Sequence, residues 1–219
     1  MTARRRLVVL AVLVAVGLAA EACSGGTSGS SSTSTSVAAT PVGYRVFQDT
    51  ADRFRIAVPS AWTVVNPDAP GGAQDLQRII SANPTLSSSY GDDAAGLVAS
   101  GIKFWAFDLG GGSGYVPNVN VLVKSAPGTN DSDLPGLVKN IQSSYQRIGA
   151  RVVSSGTISY AGHKAYRVLL QVPLAASVGG AATTVLTLEV FLAHGHLYDL
   201  NLAGGNQQFL TIASTFTVS

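Results

Sequence analysis

The sequence predicts an α+β fold in which an antiparallel β-sheet packs against helices. Its apolar strands follow one another as hairpins, which build antiparallel sheets. Helices interrupt these hairpins, and this order favours an antiparallel sandwich over a parallel sheet. Residues 44–219 carry the pattern, and about 175 residues are enough for a single domain with a sizeable core.

The first predicted elements are a strand and a helix. Residues 54–58 place apolar side chains at every second position, which predicts a strand with one buried face. Leu76, Ile79 and Ile80 then share one helical stripe, which Asn83-Pro84 closes.

The next segment combines a short helix, two strands and a loop. A second short helix is expected near residues 92–100. Residues 102–109 are apolar on both faces, which is typical of a strand that is covered on both sides. Residues 110–114 are a glycine-rich loop, and residues 119–124 alternate again as a strand.

The clearest predicted helix covers residues 134–148. Ser132 or Asp133 can cap it, Pro135 suits its first turn, and Gly149 ends it. Its apolar stripe consists of Leu134, Leu137, Val138, Ile141, Tyr145 and Ile148.

The remainder of the chain is predicted to be mostly sheet. Residues 151–160 and 164–172 form one hairpin, and residues 183–193 and 196–202 form another. A short C-terminal helix follows, and the side chains expected to enter the core there are Phe209, Ile212, Ala213 and Phe216.

The N-terminus has the pattern of a bacterial export signal. Three arginines precede an apolar run of about 14 residues, too short for a helix that spans a bilayer, which needs about 20. The only cysteine, Cys23, follows this run, and a tract rich in Ser, Thr and Gly comes next. We expect a signal peptide at residues 1–22, then a lipidated Cys23 and a flexible tether over residues 23–43. Acyl chains such as palmitate on Cys23 would hold the protein at the outer face of the cytoplasmic membrane.

The cleavage site has a second interpretation. Ala20-Glu21-Ala22 also fits the small-x-small site of an ordinary secretory signal. In that alternative the protein is secreted, and Cys23 is a free thiol in an oxidising compartment, where such thiols are a liability.

The mature chain is expected to carry no net charge. The full chain has 14 Lys and Arg and 12 Asp and Glu, and removal of residues 1–22 takes away three arginines and one glutamate. The remaining 11 basic and 11 acidic residues predict no nucleic-acid partner.

Three segments contain recognisable packing and turn motifs: residues 54–62 (FRIAVPSAW), 162–167 (GHKAYR) and 195–200 (GHLYDL). Together they resemble the PsbP-like fold and, within it, the actinobacterial LpqN/LpqT-type lipoproteins. The resemblance covers nearly all of residues 44–219. It implies a PsbP-like α/β sandwich that acts as a binding or scaffolding module, with no catalytic residues and no cofactor.

The histidines offer a rival interpretation from a different functional class. His194 and His196 are two residues apart and could share a strand face as metal ligands, with Asp199 as a third ligand. A metal-assisted hydrolase would use these groups. However, Gly195 indicates a hairpin turn that separates the two rings, so we expect exposed turn residues and no metal site.

The other candidate catalytic motifs are incomplete. Residues 111–115 (GGSGY) resemble a nucleophile elbow around Ser113, but Tyr115 replaces the required last glycine. Asp92 and Asp93 are adjacent and cannot face each other, so a helix N-terminus explains them better. We therefore expect no enzyme.

Glu189 lies in the middle of a strand among apolar residues, and Arg167 lies in the middle of a strand of the preceding hairpin. A cross-strand ion pair between them is the main interpretation. A glutamate that faces a ligand is the alternative.

The aromatic residues suggest where a ligand could bind. Five of them could line an apolar groove between helix and sheet, or could simply be core: Trp62, Trp105, Tyr115, Tyr145 and Tyr166. The rim of such a site is expected at two loops, 84–101 and 110–117. The candidate rim residues are Gly110, Gly112, Ser113 and Tyr115.

These observations predict a non-enzymatic binding or scaffolding module in the cell envelope. Its partners would be the membrane, through Cys23, and a protein or a hydrophobic ligand. A carrier of lipids or hydrophobic metabolites is the alternative function.

Overall fold

The computed structural model describes residues 39–90, 94–110, 115–160, 162–174, 183–205 and 208–219. Within these ranges, the strands form two antiparallel sheets. The small sheet has the order β1-β2-β10 and consists of β1 (Tyr44–Asp49), β2 (Phe54–Pro59) and β10 (Thr217–Val218).

The large sheet has the order β3-β4-β5-β9-β8-β7-β6. Its strands are β3 (Thr63–Val65), β4 (Ile102–Phe107), β5 (Asn118–Ser125), β6 (Arg151–Tyr160), β7 (His163–Pro173), β8 (Thr183–Ala193) and β9 (His196–Ala203). The central pair, β5 and β9, joins the strands that precede residue 126 to those that follow residue 150.

Five helices accompany the sheets in the described part of the chain. They are α1 (Gly72–Ala82), α2 (Pro84–Tyr90), α3 (Ala94–Ala99), α4 (Leu134–Arg147) and α5 (Gln208–Thr215). None of these described helices is both long and apolar enough to cross a bilayer.

The small sheet and α5 cover one face of the large sheet. Apolar side chains from β2 and α5 pack there against side chains that β4, β5, β8 and β9 direct to the same side. The buried members include Ile56, Val58, Phe104, Val121, Phe191, Leu200, Ile212 and Phe216.

The remaining helices cover the opposite face as two separate groups. Helices α1–α3 bury Leu76, Ile80, Leu86 and Leu97 with Trp105 and Phe107 of β4. Helix α4 buries Leu134, Leu137, Val138 and Ile141 with Leu170 of β7 and Leu188 and Val190 of β8. This arrangement confirms the predicted α+β class, an antiparallel sheet packed with helices.

Helix α2 corrects the prediction that residues 84–101 form a loop. Pro84 begins this helix, where its fixed φ and missing N–H are tolerated. Leu86 is buried with apolar side chains of α1 and α3. The sequence pattern did not indicate this helix, because the serines that follow Leu86 have weaker helix propensity than the residues of a typical helix.

Helix α4 lies where the sequence predicts it, but its cap differs. Asp133 occupies the N-cap position without a side-chain bond to the helix. Its carboxylate instead accepts a hydrogen bond from the backbone N–H of Asn130, with an N···O distance of 3.0 Å, and so stabilises the turn that precedes the helix. Gly149, with φ +89°, ends the helix as predicted.

The turn between β8 and β9 is a tight two-residue turn. His194 and Gly195 both have positive φ, +51° and +74°, which is the pattern of a type I′ turn that matches the twist of a hairpin. The predicted hairpin at this position is confirmed.

The predicted ion pair between Arg167 and Glu189 is also confirmed. The two residues face each other in the β7–β8 register, and Arg167 Nε donates to Glu189 Oε1 at 2.9 Å. Arg167 Nη2 donates to the same oxygen. Glu189 is only 1% exposed, so Arg167 is the charge that compensates a buried carboxylate.

Arg167→Ala should lower the free energy of unfolding by about 3–5 kcal/mol, because it leaves the buried Glu189 without its counter-charge. Arg151→Ala is the matched control: Arg151 is exposed on β6 and should change stability by less than about 0.5 kcal/mol. Urea unfolding measures both. Equal effects of the two substitutions would contradict this account.

Candidate functional site

A polar strip separates the two apolar clusters on the helical face of the large sheet. In one row across the sheet, Trp105, Asn120, Asn201 and Leu188 lie opposite one another on β4, β5, β9 and β8. The row passes from the α1–α3 cluster to the α4 cluster through two asparagines. The valines of β5 face the other side of the sheet.

We call this strip the polar seam. It consists of Asn118, Asn120 and Lys124 of β5, Asp199 and Asn201 of β9, and the neighbouring tyrosines Tyr90, Tyr115 and Tyr145. From Asn118 to Lys124 the seam runs for roughly 20 Å, at about 3.3 Å per strand residue.

Asn118 is the hydrogen-bonding centre of one end of the seam. Its Oδ1 accepts from Trp105 Nε1 at 3.0 Å and from the Tyr90 hydroxyl at 3.3 Å. Its Nδ2 donates to the Tyr115 hydroxyl at 3.1 Å and to the Val116 carbonyl at 3.0 Å. Because this amide is fully buried and all its donors and acceptors are used, its role is structural.

The tyrosines of the seam stay neutral. Burial raises the pKa of Tyr90 and raises that of Tyr115 further, with the neighbouring Tyr90 adding to the shift. Burial also raises the pKa of Tyr145, and the negative charge of Asp199 acts in the same direction.

Asn201 connects Tyr145 of α4 to the sheet. Its Oδ1 accepts from the Tyr145 hydroxyl at 3.3 Å, and its Nδ2 donates to the Asp199 carbonyl at 3.3 Å. Helix α4 is therefore attached to the seam by a polar contact as well as by its apolar stripe.

Asp199 is the unsatisfied group of the seam. It is 8% exposed, and its Oδ1 has no hydrogen-bond partner among the described residues. Burial raises its pKa from 3.8 to about 7, although Asn201 and the positive charge of Lys124 act in the opposite direction. A buried carboxyl with spare acceptor capacity is a feature of binding sites.

Asn120 also has spare hydrogen-bonding capacity. It lies between Trp105 and Asn201 in the register and is partly exposed. Within the described part of the chain its side chain makes no hydrogen bond. The middle of the seam thus contains two groups with unused hydrogen-bonding capacity, the partly exposed amide of Asn120 and the buried Oδ1 of Asp199.

The predicted rim residues are only partly placed. Tyr115 belongs to the seam, where it accepts a hydrogen bond from Asn118. Gly110 is exposed and donates its N–H to the Asp108 carboxylate at 3.3 Å. Gly112 and Ser113 lie outside the described residues, as do Asp92, Asp93 and Cys23.

The five aromatic residues do not line one groove, and Trp62 and Trp105 belong to the buried core, which is the other of the two interpretations. Trp62 lies on the other face of the large sheet, in edge contact with Phe209 at 6.0 Å. Trp105 is fully buried, and Tyr166 packs against the α4 cluster. Of the five, Tyr115 and Tyr145 contact the seam through their hydroxyls.

The histidines lie apart from the seam. His196 Nδ1 is 3.1 Å from the carbonyl oxygen of His194, whose ring is instead 6.1 Å from the ring of His163. Burial and then the nearby His194 lower the pKa of His163, and Asp131 opposes them. Asp199 points to the opposite face of β9 from His196, so it cannot complete a site with it.

A cavity of about 430 Å³ lies beside the β8–β9 turn and is lined by Thr129, Asn130, Asp131, Leu192, His194 and His196. Among the described residues, no three His, Cys, Asp or Glu side chains come together as a metal site.

Sequence reasoning missed Tyr90, Asn201 and the role of Asp199 at the seam. The available signal was the repeated placement of polar residues on one face of two apolar strands, Asn118 and Asn120 on β5 and Asp199 and Asn201 on β9. The two strands are distant in the chain, so the sequence does not show that these faces meet.

Comparison with solved structures supports the fold. The chain is similar to cyanobacterial PsbP (CyanoP) from Synechocystis sp. PCC 6803, with a TM-score of 0.51 and 17% identity over 89% of this chain and 98% of that one. At this identity the likeness shows the fold alone: the chain has a PsbP-like fold.

Two further structures are more distant. One from Bacteroides thetaiotaomicron VPI-5482 has a TM-score of 0.49 and 8% identity over 81% of this chain and 49% of that one. The Saccharomyces cerevisiae Ran-binding protein Mog1p has a TM-score of 0.42 and 8% identity over 80% of this chain and 95% of that one. Both scores are too low for an inference. No family model matches the chain, and no curated protein matches it.

Asn118→Ala should lower the free energy of unfolding by about 2–4 kcal/mol, because Trp105 Nε1–H and the Tyr90 hydroxyl lose their buried partner. Asn120→Ala, on the same face of the same strand, should cost less than about 1 kcal/mol. Urea unfolding of the pair tests the assignment. A similar loss for both would show that Asn118 is not the structural centre.

Asp199 should make stability depend on pH. Its folded-state pKa is raised, so the folded state binds the proton more tightly than the unfolded state. The stability that this proton contributes is fully present below pH 3.8 and is lost as the pH rises through about 7. Asp199→Asn removes this loss and should stabilise the protein at pH 8 by up to about 4 kcal/mol. Urea unfolding at pH 4 and pH 8 measures the effect. A variant that is less stable than the wild type at pH 8 would contradict it.

Proposed function

We propose that this chain is an exported, lipid-anchored binding module of the cell envelope, of the LpqN/LpqT type, and that it captures its ligand or partner at the polar seam without catalysing a reaction. The observation that carries the proposal is the unsatisfied Asp199 carboxylate in a seam between two helical groups. An unsatisfied buried polar group in a native protein requires an explanation, and a bound ligand, ion or water is one.

The composition of the seam favours binding over catalysis. Its described members are asparagines, tyrosines, one aspartate and one lysine. Ser, Cys and His are not among them, so the seam lacks the usual nucleophile–base pair. The same polarity favours a ligand with polar groups over a bare acyl chain, although a carrier of lipids with polar head groups stays an alternative.

The proposed anchor determines where the module would act. A tether of about 20 residues has an r.m.s. length of roughly 25 Å, from about 5–6 Å × √n. Acyl chains on Cys23 would keep the folded part within this distance of the membrane. The balanced mature charge gives little attraction to anionic lipid, so the seam would remain available for capture.

Cys23→Ala should release the protein into the medium, because it removes the only proposed membrane attachment. Fractionation of cells that produce the wild type and the variant, followed by mass spectrometry of the N-terminus, measures this outcome. A variant that stays in the membrane fraction would refute the lipid anchor but would not affect the seam.

Native mass spectrometry of the protein, purified from the envelope of the cells that naturally produce it, tests whether the seam binds a ligand. We expect a co-purified species that Asn120→Trp removes, because the larger ring fills the partly exposed middle of the seam. Asn140→Trp on the exposed face of α4 is the matched control and should retain the species. A lipid as that species would favour the carrier. A species that Asn120→Trp retains would contradict the proposed site.

A further inference from the structure

The chemistry around Asp199 indicates what kind of group the seam takes. Three neighbouring elements present a side chain to this carboxyl: Lys124 from β5, Asn201 from β9 itself and Tyr145 from α4. Tyr145 is neutral, because burial and the charge of Asp199 both raise its pKa. Asp199 is therefore the source of negative charge in the middle of the seam.

Lys124 compensates this charge only in part. Its positive charge lowers the pKa of Asp199, yet burial still holds that pKa at about 7. Lys124 lies diagonally across the register, since the residue directly opposite Asp199 is Leu122. Oδ1 of Asp199 keeps no hydrogen bond among the described residues.

A ligand with a neutral hydrogen-bond donor would not supply the counter-charge that the carboxylate of Asp199 needs. Buried charges in proteins are paired with an opposite charge or coordinate a metal, because a hydrogen bond alone does not offset the loss of hydration. A metal fits poorly, since the described residues bring no three metal-ligating side chains together. A charged hydrogen-bond donor satisfies both needs, and such bonds are roughly twice as strong as neutral ones.

The neighbouring acceptor favours an ammonium group. An ammonium has three N–H donors, and the Asn120 side chain makes no hydrogen bond within the described residues. Asn120 lies diagonally across from Asp199 on the adjacent strand, two residues from Leu122, which pairs with Asp199. The phenol ring of Tyr145, which is close enough to Asp199 for the two groups to interact electrostatically, also suits a cation, because cations are attracted to aromatic faces.

We infer that the polar seam binds its ligand through a primary ammonium group that donates hydrogen bonds to Asp199 Oδ1 and to the amide oxygen of Asn120. This inference rests on the proposed function and names the class of ligand: a small molecule that carries a primary ammonium group. The ammonium group of the ligand replaces the hydration that the Asp199 carboxylate lost on folding.

The test uses two probes of nearly equal size, n-butylamine and n-butanol, with the full chain labelled with ¹⁵N and with ¹³C-carboxyl aspartate. Asp199→Asn identifies the Asp199 carboxyl signal by its disappearance. At pH 8 the wild-type carboxylate is ionised and butylamine is protonated. Backbone amide shifts of β5 and β9 report binding, and the ¹³C signal reports the pKa of Asp199.

Butylamine should shift the amides of β5 and β9 and, at saturation, lower the pKa of the Asp199 carboxyl by about 1 to 3. Asp199→Asn should weaken this response at least about tenfold, whereas Asp75→Asn, at an exposed acid of α1, should leave it unchanged. Near-ultraviolet circular dichroism verifies that each variant is folded.

The contrary results separate the two proposals. If butanol shifts the seam amides as strongly as butylamine, or if Asp199→Asn retains the full amine response, the ammonium inference is wrong while the seam still binds ligands. If neither probe shifts those amides, the seam is closed to small molecules, and both the inference and the proposed site fail.

Discussion

The pairing of β5 with β9 is the constraint on which the rest of this structure depends. The two strands are paired over their full lengths, Asn118 with Ala203 at one end and Ser125 with His196 at the other. They join the strands β3 and β4 to β8, β7 and β6, so the seven-stranded sheet exists only through this pair. If one of the two strands slipped by one residue, its polar seam side chains would turn toward the opposite, apolar layer.

That register also explains why the seam lies between the helical groups. Helices α1–α3 pack over β4 and helix α4 packs over β7 and β8. The seam lies at the boundary between these groups, where Asn120, Leu122 and Lys124 of β5 are only partly buried. Polar residues are tolerated at such a boundary. At one end of the seam, Asn118 is fully hydrogen-bonded to buried side chains. In the middle of the seam, Asn120 and Asp199 keep unused hydrogen-bonding capacity.

The sequence predicts the elements well where the pattern is local and less well where contacts are distant. The stripe of α4 and the hairpin at His194-Gly195 are encoded in short windows, and both are confirmed. The strands β3 and β10 are too short to show a period, since they have three and two residues. Their pairing partners in the sheet define them.

The site was harder to predict because its members come from two strands, two helices and one loop: β5, β9, α2, α4 and the segment that precedes β5. Tyr115 was selected for its place beside a glycine-rich loop, and it does contact Asn118. Trp62 was placed in the same groove because an aromatic side chain gives no sign of which sheet face it occupies. Only the register of β5 and β9 shows that Asn120 and Asn201 lie side by side.

The two buried carboxylates of the large sheet differ in their counter-charges, although each keeps one oxygen, Glu189 Oε2 and Asp199 Oδ1, without a hydrogen-bond partner among the described residues. Glu189 has a dedicated counter-charge, because two nitrogens of Arg167 donate to one of its oxygens. Asp199 has no comparable partner for Oδ1, and burial shifts its pKa into the physiological range. Selection for stability alone would favour asparagine at position 199, since a neutral amide avoids the cost of a buried charge. A carboxylate that persists against this cost is the pattern expected where stability is exchanged for binding.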